Sequence, residues 1–275
     1  MEIPHKQVEA LLHDASERKI MPLWQNLRGD DVTKKTPDEI VTIADSNCES
    51  FLMEHLPNLL DGSLVIGEES VHKNPNLLSA LFSDAPVWII DPLDGTGNFV
   101  SGKPPIAIMV CLIHCGVTLG AWVLNPISGI LTSAEKGSGA FEGSTRLEIE
   151  PSFQPLSNLR GALLTKFLPD SLRPVAEAAS NCFLCVERTK CAGYDYNAFA
   201  KNEMQFLFYY RTLVWDHAPG ILIAEEAGGF VRRLDGTEYT PTDTRKGLLC
   251  ASSKEMWEVI QKTLVPTISV IGSDK

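Results

Sequence analysis

The sequence predicts a mixed α/β protein, and three observations carry that expectation. Short apolar runs ending in turn residues alternate with stretches of helical period along the whole chain. The 275 residues are 44% apolar and 21% charged, the proportions of an ordinary globular protein, and show no repeats or low-complexity tracts. A chain of this size buries about 73% of its extended surface, enough for a core without staples.

Val8, Leu11, Leu12 and Ala15 follow helical spacing, so the chain opens on an amphipathic helix. Residues 28–36 have no apolar period and read as a loop. A second helix carries Cys48, Phe51, Leu52, Leu56 and Leu59 on one face, with Asp45 near its start. Residues 63–67 and 87–91 are short apolar runs and read as buried strands. From Pro104 to Ala134 there is no charged residue, which raises the question of a membrane span. Prolines, glycines and His114-Cys115-Gly116 divide it into runs at 106–113 and 117–124, so two strands joined by a tight turn fit better. A strand near 129–134 and a Gly-rich turn at 136–140 follow. Pro151 to Asn158 is polar and marks a boundary between halves 1–150 and 151–275 of one domain. The second half predicts strands at 161–165, 182–187, 206–209, 229–234 and 247–251. Its helices fall at 170–181, from Asn197, at 215–227 and from Ser253.

The net charge of −11 argues against a nucleic-acid polymer or an anionic membrane as partner. Seven cysteines make no regular framework, and Met1-Glu2 opens without a charged-then-apolar leader, so a reducing, cytoplasmic setting is expected. Cys182, Cys185 and Cys191 lack a fourth ligand and read as free thiols. His114 and His217 read as turn and first-turn residues.

Trp88 to Phe99 (WIIDPLDGTGNF) is the most informative stretch. A buried strand ends at Asp91, Pro92 keeps it extended, and the turn returns Asp94 beside it. Two such carboxylates repel unless a cation lies between them. Gly95, Thr96 and Gly97 offer backbone N–H groups at a helix start, which suits a phosphate. Glu68 and Glu69 end another strand, and Asp216 opens a later helix. Oxygen ligands without a matching His or Cys set imply Mg²⁺ rather than zinc.

Together, residues 39–45 (EIVTIAD), 67–70 (GEES), 88–99 and 215–229 (WDHAPGILIAEEAGG) resemble the inositol monophosphatase family of Mg²⁺-dependent, lithium-sensitive sugar-phosphate phosphatases. The resemblance implies a layered αβαβα sandwich, a homodimer and a small phosphorylated substrate. It implies two or three Mg²⁺ ions held by Glu68, Asp91, the Leu93 carbonyl, Asp94 and Asp216. Thr96, oriented by Asp45, would position and deprotonate the attacking water, with Glu68 in the catalytic set. Gly95 and Thr96 N–H groups would cradle the phosphate, and Lys34, eleven residues before Asp45, matches a lysine near that pocket. The implied reaction is in-line attack by metal-activated water without a phosphoenzyme.

The second half departs from the family pattern. A Glu that reads a sugar hydroxyl stands seven residues before the helix Asp in the inositol phosphatases; here that place is Tyr209. Their small turn is replaced by Cys191-Ala192-Gly193, and Tyr209, Asp216 and Gly193 are the expected substrate contacts. Losing that Glu puts inositol phosphate in question. Tyr209, Tyr210 and Arg211 suit an aromatic or doubly anionic substrate, although the FLFYY run also reads as strand core. The expected activity is inositol monophosphatase-type hydrolysis. The alternatives are 3′(2′),5′-bisphosphate nucleotidase, histidinol-phosphate phosphatase and fructose-1,6-bisphosphatase activity. A non-catalytic metal or phosphate-ligand sensor is the rival of a different class.

Overall fold

The apolar runs of the first half pair with one another in the computed structural model of the chain, which describes residues 2–37 and 39–264. Helix α1 (His5–Ala15) comes first, followed by an antiparallel ribbon of β1 (Val32–Thr36) and β2 (Glu39–Thr42). The ribbon corrects the loop expected over 28–36. Both strands are short and β1 is mostly polar, so the pairing of each with the other is what reveals the ribbon.

Helix α2 (Ile43–His55) leads into β3 (Leu64–Gly67), α3 (Glu68–Lys73), β4 (Val87–Asp94) and α4 (Thr96–Val100). The uncharged stretch forms β5 (Ala107–His114) and β6 (Val117–Asn125), an antiparallel pair rather than a span. No helix among the described residues is long and apolar enough to cross a membrane. Strands β7 (Ile130–Glu135), β8 (Gly139–Glu142) and β9 (Thr145–Leu147) complete a seven-stranded sheet in the order β3-β4-β5-β6-β7-β8-β9. The last two, in Gly-rich and polar sequence, carry no strong strand signal.

The second sheet has five strands. They are β10 (Arg160–Leu164), β11 (Cys185–Glu187), β12 (Phe206–Tyr209), β13 (Phe230–Arg233) and β14 (Leu248–Ala251), ordered β11-β10-β12-β14-β13. Among them run helices α5 (Arg173–Ser180), α6 (Ala192–Ala200), α7 (Val214–Glu226) and α8 (Lys254–Leu264). Helix α6 starts five residues before the expected Asn197, because Cys191-Ala192-Gly193 forms its entry rather than a separate turn.

Alternation along the strands explains the layers. Ile108, Val110 and Leu112 of β5 face α1 and α2, through Val8, Leu12, Cys48 and Leu52. Met109 and Cys111 face the other way, toward Tyr196, Phe199, Ala218 and Leu222 of α6 and α7. Leu207 and Tyr209 of the second sheet close on that same core. Phe206, Phe208 and Leu249 point outward onto Ala176 of α5 and Met256, Trp257 and Ile260 of α8. The order is α1/α2, sheet, α6/α7, sheet, α5/α8, which is the layered αβαβα sandwich.

Gly220 of α7 sets the closest approach in the middle layer: a Cβ there would lie 2.0 Å from the Tyr196 ring. Replacing a helical glycine by alanine ordinarily stabilises by ~0.5–1 kcal/mol. Here the collision outweighs it, so Gly220→Ala should destabilise by about 1–3 kcal/mol in urea unfolding. An unchanged or raised midpoint contradicts this packing.

Candidate active site

Asp91 and Asp94 are three residues apart, so a regular strand would point them to opposite faces. A bulge prevents that. Asp91 pairs with Met109 and Asp94 with Ala107, so β4 carries one extra residue between them. Met109 and Ala107 share a face, and both carboxylates therefore face the α6/α7 layer. The Asp91 carboxylate accepts the Leu93 N–H at 3.1 Å, which tightens the turn. Asp94 accepts the N–H of Gly193, in the first turn of α6, at 2.6 Å. The Gly193 amide is thus committed to Asp94 rather than open to substrate.

Two further elements bring carboxylates to the same point. Glu68 begins α3 directly after β3, and Asp216 lies in the first turn of α7. Ligand oxygens of Glu68, Asp91 and Asp216 all lie within 4.8 Å of one another. The position of Glu68 is held from behind by Glu49, whose carboxylate accepts the N–H groups of Glu69 and Ser70 at 2.7 and 2.8 Å. Gly67 makes room for it, since a Cβ there would meet Glu49 at 2.2 Å. Glu49 carried no signal in the sequence beyond its place on a helix face.

Lys34, expected beside the phosphate pocket, is exposed on β1 and does not line the cleft. Its neighbour Lys35 is the extra residue of a second bulge, between Lys34 and Thr36. The bulge turns Lys35 inward, with its side chain only 6% exposed, and its ammonium donates to Glu68 at 2.7 Å and to Glu69 at 2.5 Å.

Asp45 is held by the cap of its own helix. Thr42 caps α2, and its N–H and hydroxyl both donate to Asp45 Oδ2, at 2.8 and 2.5 Å. This leaves Oδ1 for the Thr96 hydroxyl at 3.0 Å. The same hydroxyl lies 2.9 Å from the Leu93 carbonyl. It has one proton, so it donates to one of the two at a time.

Tyr209 is buried, and its hydroxyl donates to Asp195 Oδ2 at 2.9 Å. Thr189 donates to the other oxygen of Asp195 at 2.5 Å. His217 lies between Tyr196 and Arg211: the Tyr196 hydroxyl is 3.0 Å from Nδ1, and the Arg211 carbonyl is 3.0 Å from Nε2. Burial pushes this imidazole down to about 3, so it is neutral and pins the backbone of Arg211. Arg211 pairs with Glu39 and stacks 3.6 Å above the Phe167 ring. All seven cysteines are free.

The acids resist ionisation. Burial, then Glu68, Asp94 and Asp216, drive Asp91 well above the carboxylate range. Burial, with Glu68 and Asp94, does the same to Asp216. Asp94 rises to about 6, chiefly through burial. Burial also raises Asp45 to about 6 and Glu69 to about 7. Burial alone would lower the Lys35 ammonium, but Glu68 and Glu69 outweigh it and the net shift is upward. Carboxylates that repel this strongly, all hard oxygen donors, fit a divalent cation such as Mg²⁺. Glu68, Asp91 and Asp216 would hold it, with Asp94 and the Leu93 carbonyl beside them. They line a cleft of about 870 Å³ whose walls also include Thr96, Tyr209, Phe167 and Arg188.

The family model described as "Inositol monophosphatase family" matches residues 7–269. A Vibrio cholerae protein named Nus factor SuhB is 31% identical over 229 residues, 80% of each chain. A Mesorhizobium japonicum inositol-1-monophosphatase is 29% identical over 260 residues, 89% of this chain and 87% of its own. Among solved structures, a Thermotoga maritima IMPase superposes with a TM-score of 0.81 at 23% identity, covering 97% of this chain and 98% of its own, a likeness of fold.

The raised acids make stability depend on pH. In the metal-free protein their contribution is present below the unfolded values near 4 and is lost as pH rises through about 6 for Asp94 and Asp45 and about 7 for Glu69. Mg²⁺ competes with those protons. Saturating Mg²⁺ should therefore raise Tm by roughly 5–10 °C at pH 7.5 and by clearly less at pH 5, read by calorimetry. Equal shifts at both pH values contradict the assignment.

Proposed function

The chain belongs to the inositol monophosphatase family and is a phosphatase, and from that premise we propose that it hydrolyses a small-molecule phosphate monoester, with inositol 1-phosphate the first candidate, in a Mg²⁺-dependent reaction. The observation that carries the reading is the Thr96–Asp45 hydrogen bond beside the carboxylate cluster. A metal or ligand sensor needs the carboxylates but has no use for a hydroxyl–carboxylate relay next to them.

Two or three bound Mg²⁺ ions would neutralise the carboxylates, attract the phosphate and acidify water. Glu68, Asp91, Asp94, Asp216 and the Leu93 carbonyl would hold them. Thr96 Oγ accepts a proton from the attacking water and passes its own to Asp45 Oδ1. Asp45 suits that task because burial brings it to about 6, near the working pH. The bonds from Thr42 keep its other oxygen occupied, so the relay has one direction. N–H groups of Gly95 and Thr96 orient the phosphate, and Asp216 faces the leaving alcohol. Tyr209 contributes to the alcohol side by shape, since its hydroxyl is taken by Asp195. Lithium inhibition, a cytoplasmic setting and a homodimer belong to the same reading.

Phosphate release from inositol 1-phosphate should require Mg²⁺ and fall with Li⁺. Asp94→Asn should cost at least ~3 kcal/mol of transition-state stabilisation, a loss of ~10²–10³ in kcat. Near-normal turnover by that variant sinks the assignment. Thr96→Ala should lower kcat by ~10²–10⁴ with KM little changed. Wild-type kcat should rise with pH through the value near 6 set by Asp45. A profile flat from pH 5 to 8 would remove Asp45 from the relay.

A further inference from the structure

Arg211 lines the cleft on the segment that leads into α7 and Asp216. The backbone of that segment is fixed residue by residue. The Tyr210 carbonyl accepts the Gly247 N–H at 2.8 Å, and the Arg211 carbonyl accepts from His217 Nε2 at 3.0 Å. The Thr212 hydroxyl donates to the Arg245 carbonyl at 3.0 Å and accepts from the buried Arg233 at 2.9 Å. A side chain on so constrained a stretch has little backbone freedom to lose when it meets a ligand.

The guanidinium is fixed as well. It lies 3.6 Å above the ring of Phe167, in the loop after β10, and stacking there sets its plane. Glu39 of β2 takes one N–H group. A guanidinium has five N–H donors, and Arg211 makes no other side-chain hydrogen bond among the described residues. The side chain is still 32% exposed and lines the cleft, so its remaining donors can be reached from there. Its charge is also felt at the acids: burial, then Glu68 and Asp94, raise Asp216, and Arg211 acts against them. Because Glu39 balances that charge, the pair is poorly suited to a second anion. What it offers is a rigid set of N–H donors for uncharged oxygens.

We propose that Arg211 determines specificity for the leaving alcohol, donating its free N–H groups to hydroxyl oxygens of a neutral polyol. The proposal rests on reading the cleft as a phosphatase active site. Glu39 and Phe167 are positioning residues that act through Arg211: the carboxylate sets the direction of the fork and the ring sets its plane. Lysine has neither a fork nor a plane, so charge alone does not reproduce the contact.

The test compares inositol 1-phosphate with cyclohexyl phosphate, the same ring without hydroxyls, in Mg²⁺. The wild type should favour inositol 1-phosphate by ~10-fold or more in kcat/KM, the scale of hydrogen bonds to a charged group. R211M should remove most of that preference, raising KM for inositol 1-phosphate ~10-fold or more and affecting cyclohexyl phosphate much less. R211K keeps a charge for Glu39 and should restore only a minor part of the preference. F167L should weaken the preference in the same direction by a smaller factor. No preference in the wild type, equal loss on both esters in R211M, or full rescue by R211K overturns the proposal and makes Arg211 a clasp between β2 and the loop after β10. The phosphatase reading survives those results, because turnover of cyclohexyl phosphate tests it without any hydroxyl. If neither ester is hydrolysed, that reading falls, and calorimetry decides on Arg211. Inositol 1-phosphate binding weakened ~10-fold by R211M supports the contact, and unchanged binding overturns it.

Discussion

Everything in the catalytic half follows from forcing Glu68, Asp91, Asp94 and Asp216 into one small volume. Four like charges at such separations oppose folding, and burial strengthens the repulsion. The fold supplies the opposing constraint from several directions at once. The β4 bulge turns Asp94 onto the face of Asp91, α7 delivers Asp216 from the middle layer, and α3 starts at Glu68 directly after β3. These elements are all anchored in the middle core, through Ile66, Val71, Ile89 and Leu222, so no single turn bears the cost.

The supporting contacts brace the acids from behind. Lys35 lies between Glu68 and Glu69 as a positive charge, and the first turn of α6 gives the Gly193 amide to Asp94. Glu49 collects the amides at the start of α3 and fixes Glu68 from below. Thr42 does the same for Asp45 and so sets the side from which Thr96 is held. The site is therefore a set of carboxylates with occupied backs and a shared front, the geometry that preorganised electrostatics requires.

Local features were legible in the sequence and tertiary ones were not. Asp91 to Thr96 is one continuous strand, turn and helix start, so its two carboxylates were expected near each other; that they share a face depends on the β4 bulge. The strands of the uncharged stretch were equally plain, because both of their faces are buried and apolar. Lys35 was missed in favour of Lys34 because a bulge decides which of two adjacent lysines turns inward, and the bulge exists only through pairing of β1 with β2. Tyr209 read as a substrate contact or strand core; its commitment to Asp195 depends on how α6 lies across β12. The early start of α6 escaped notice for a similar reason, since Cys191-Ala192-Gly193 looks like a turn until Asp94 is placed against it.

The central claim is that the crowded carboxylates form a site for a divalent cation held partly protonated when empty. The most direct measurement is calorimetric titration of Mg²⁺ into metal-stripped protein at pH 6.5, in two buffers of different ionisation enthalpy. The account requires saturable binding that releases protons, seen as a heat that changes with the buffer, and loss of both in Asp91→Asn. Binding without proton release, or no specific binding at millimolar Mg²⁺, would contradict it.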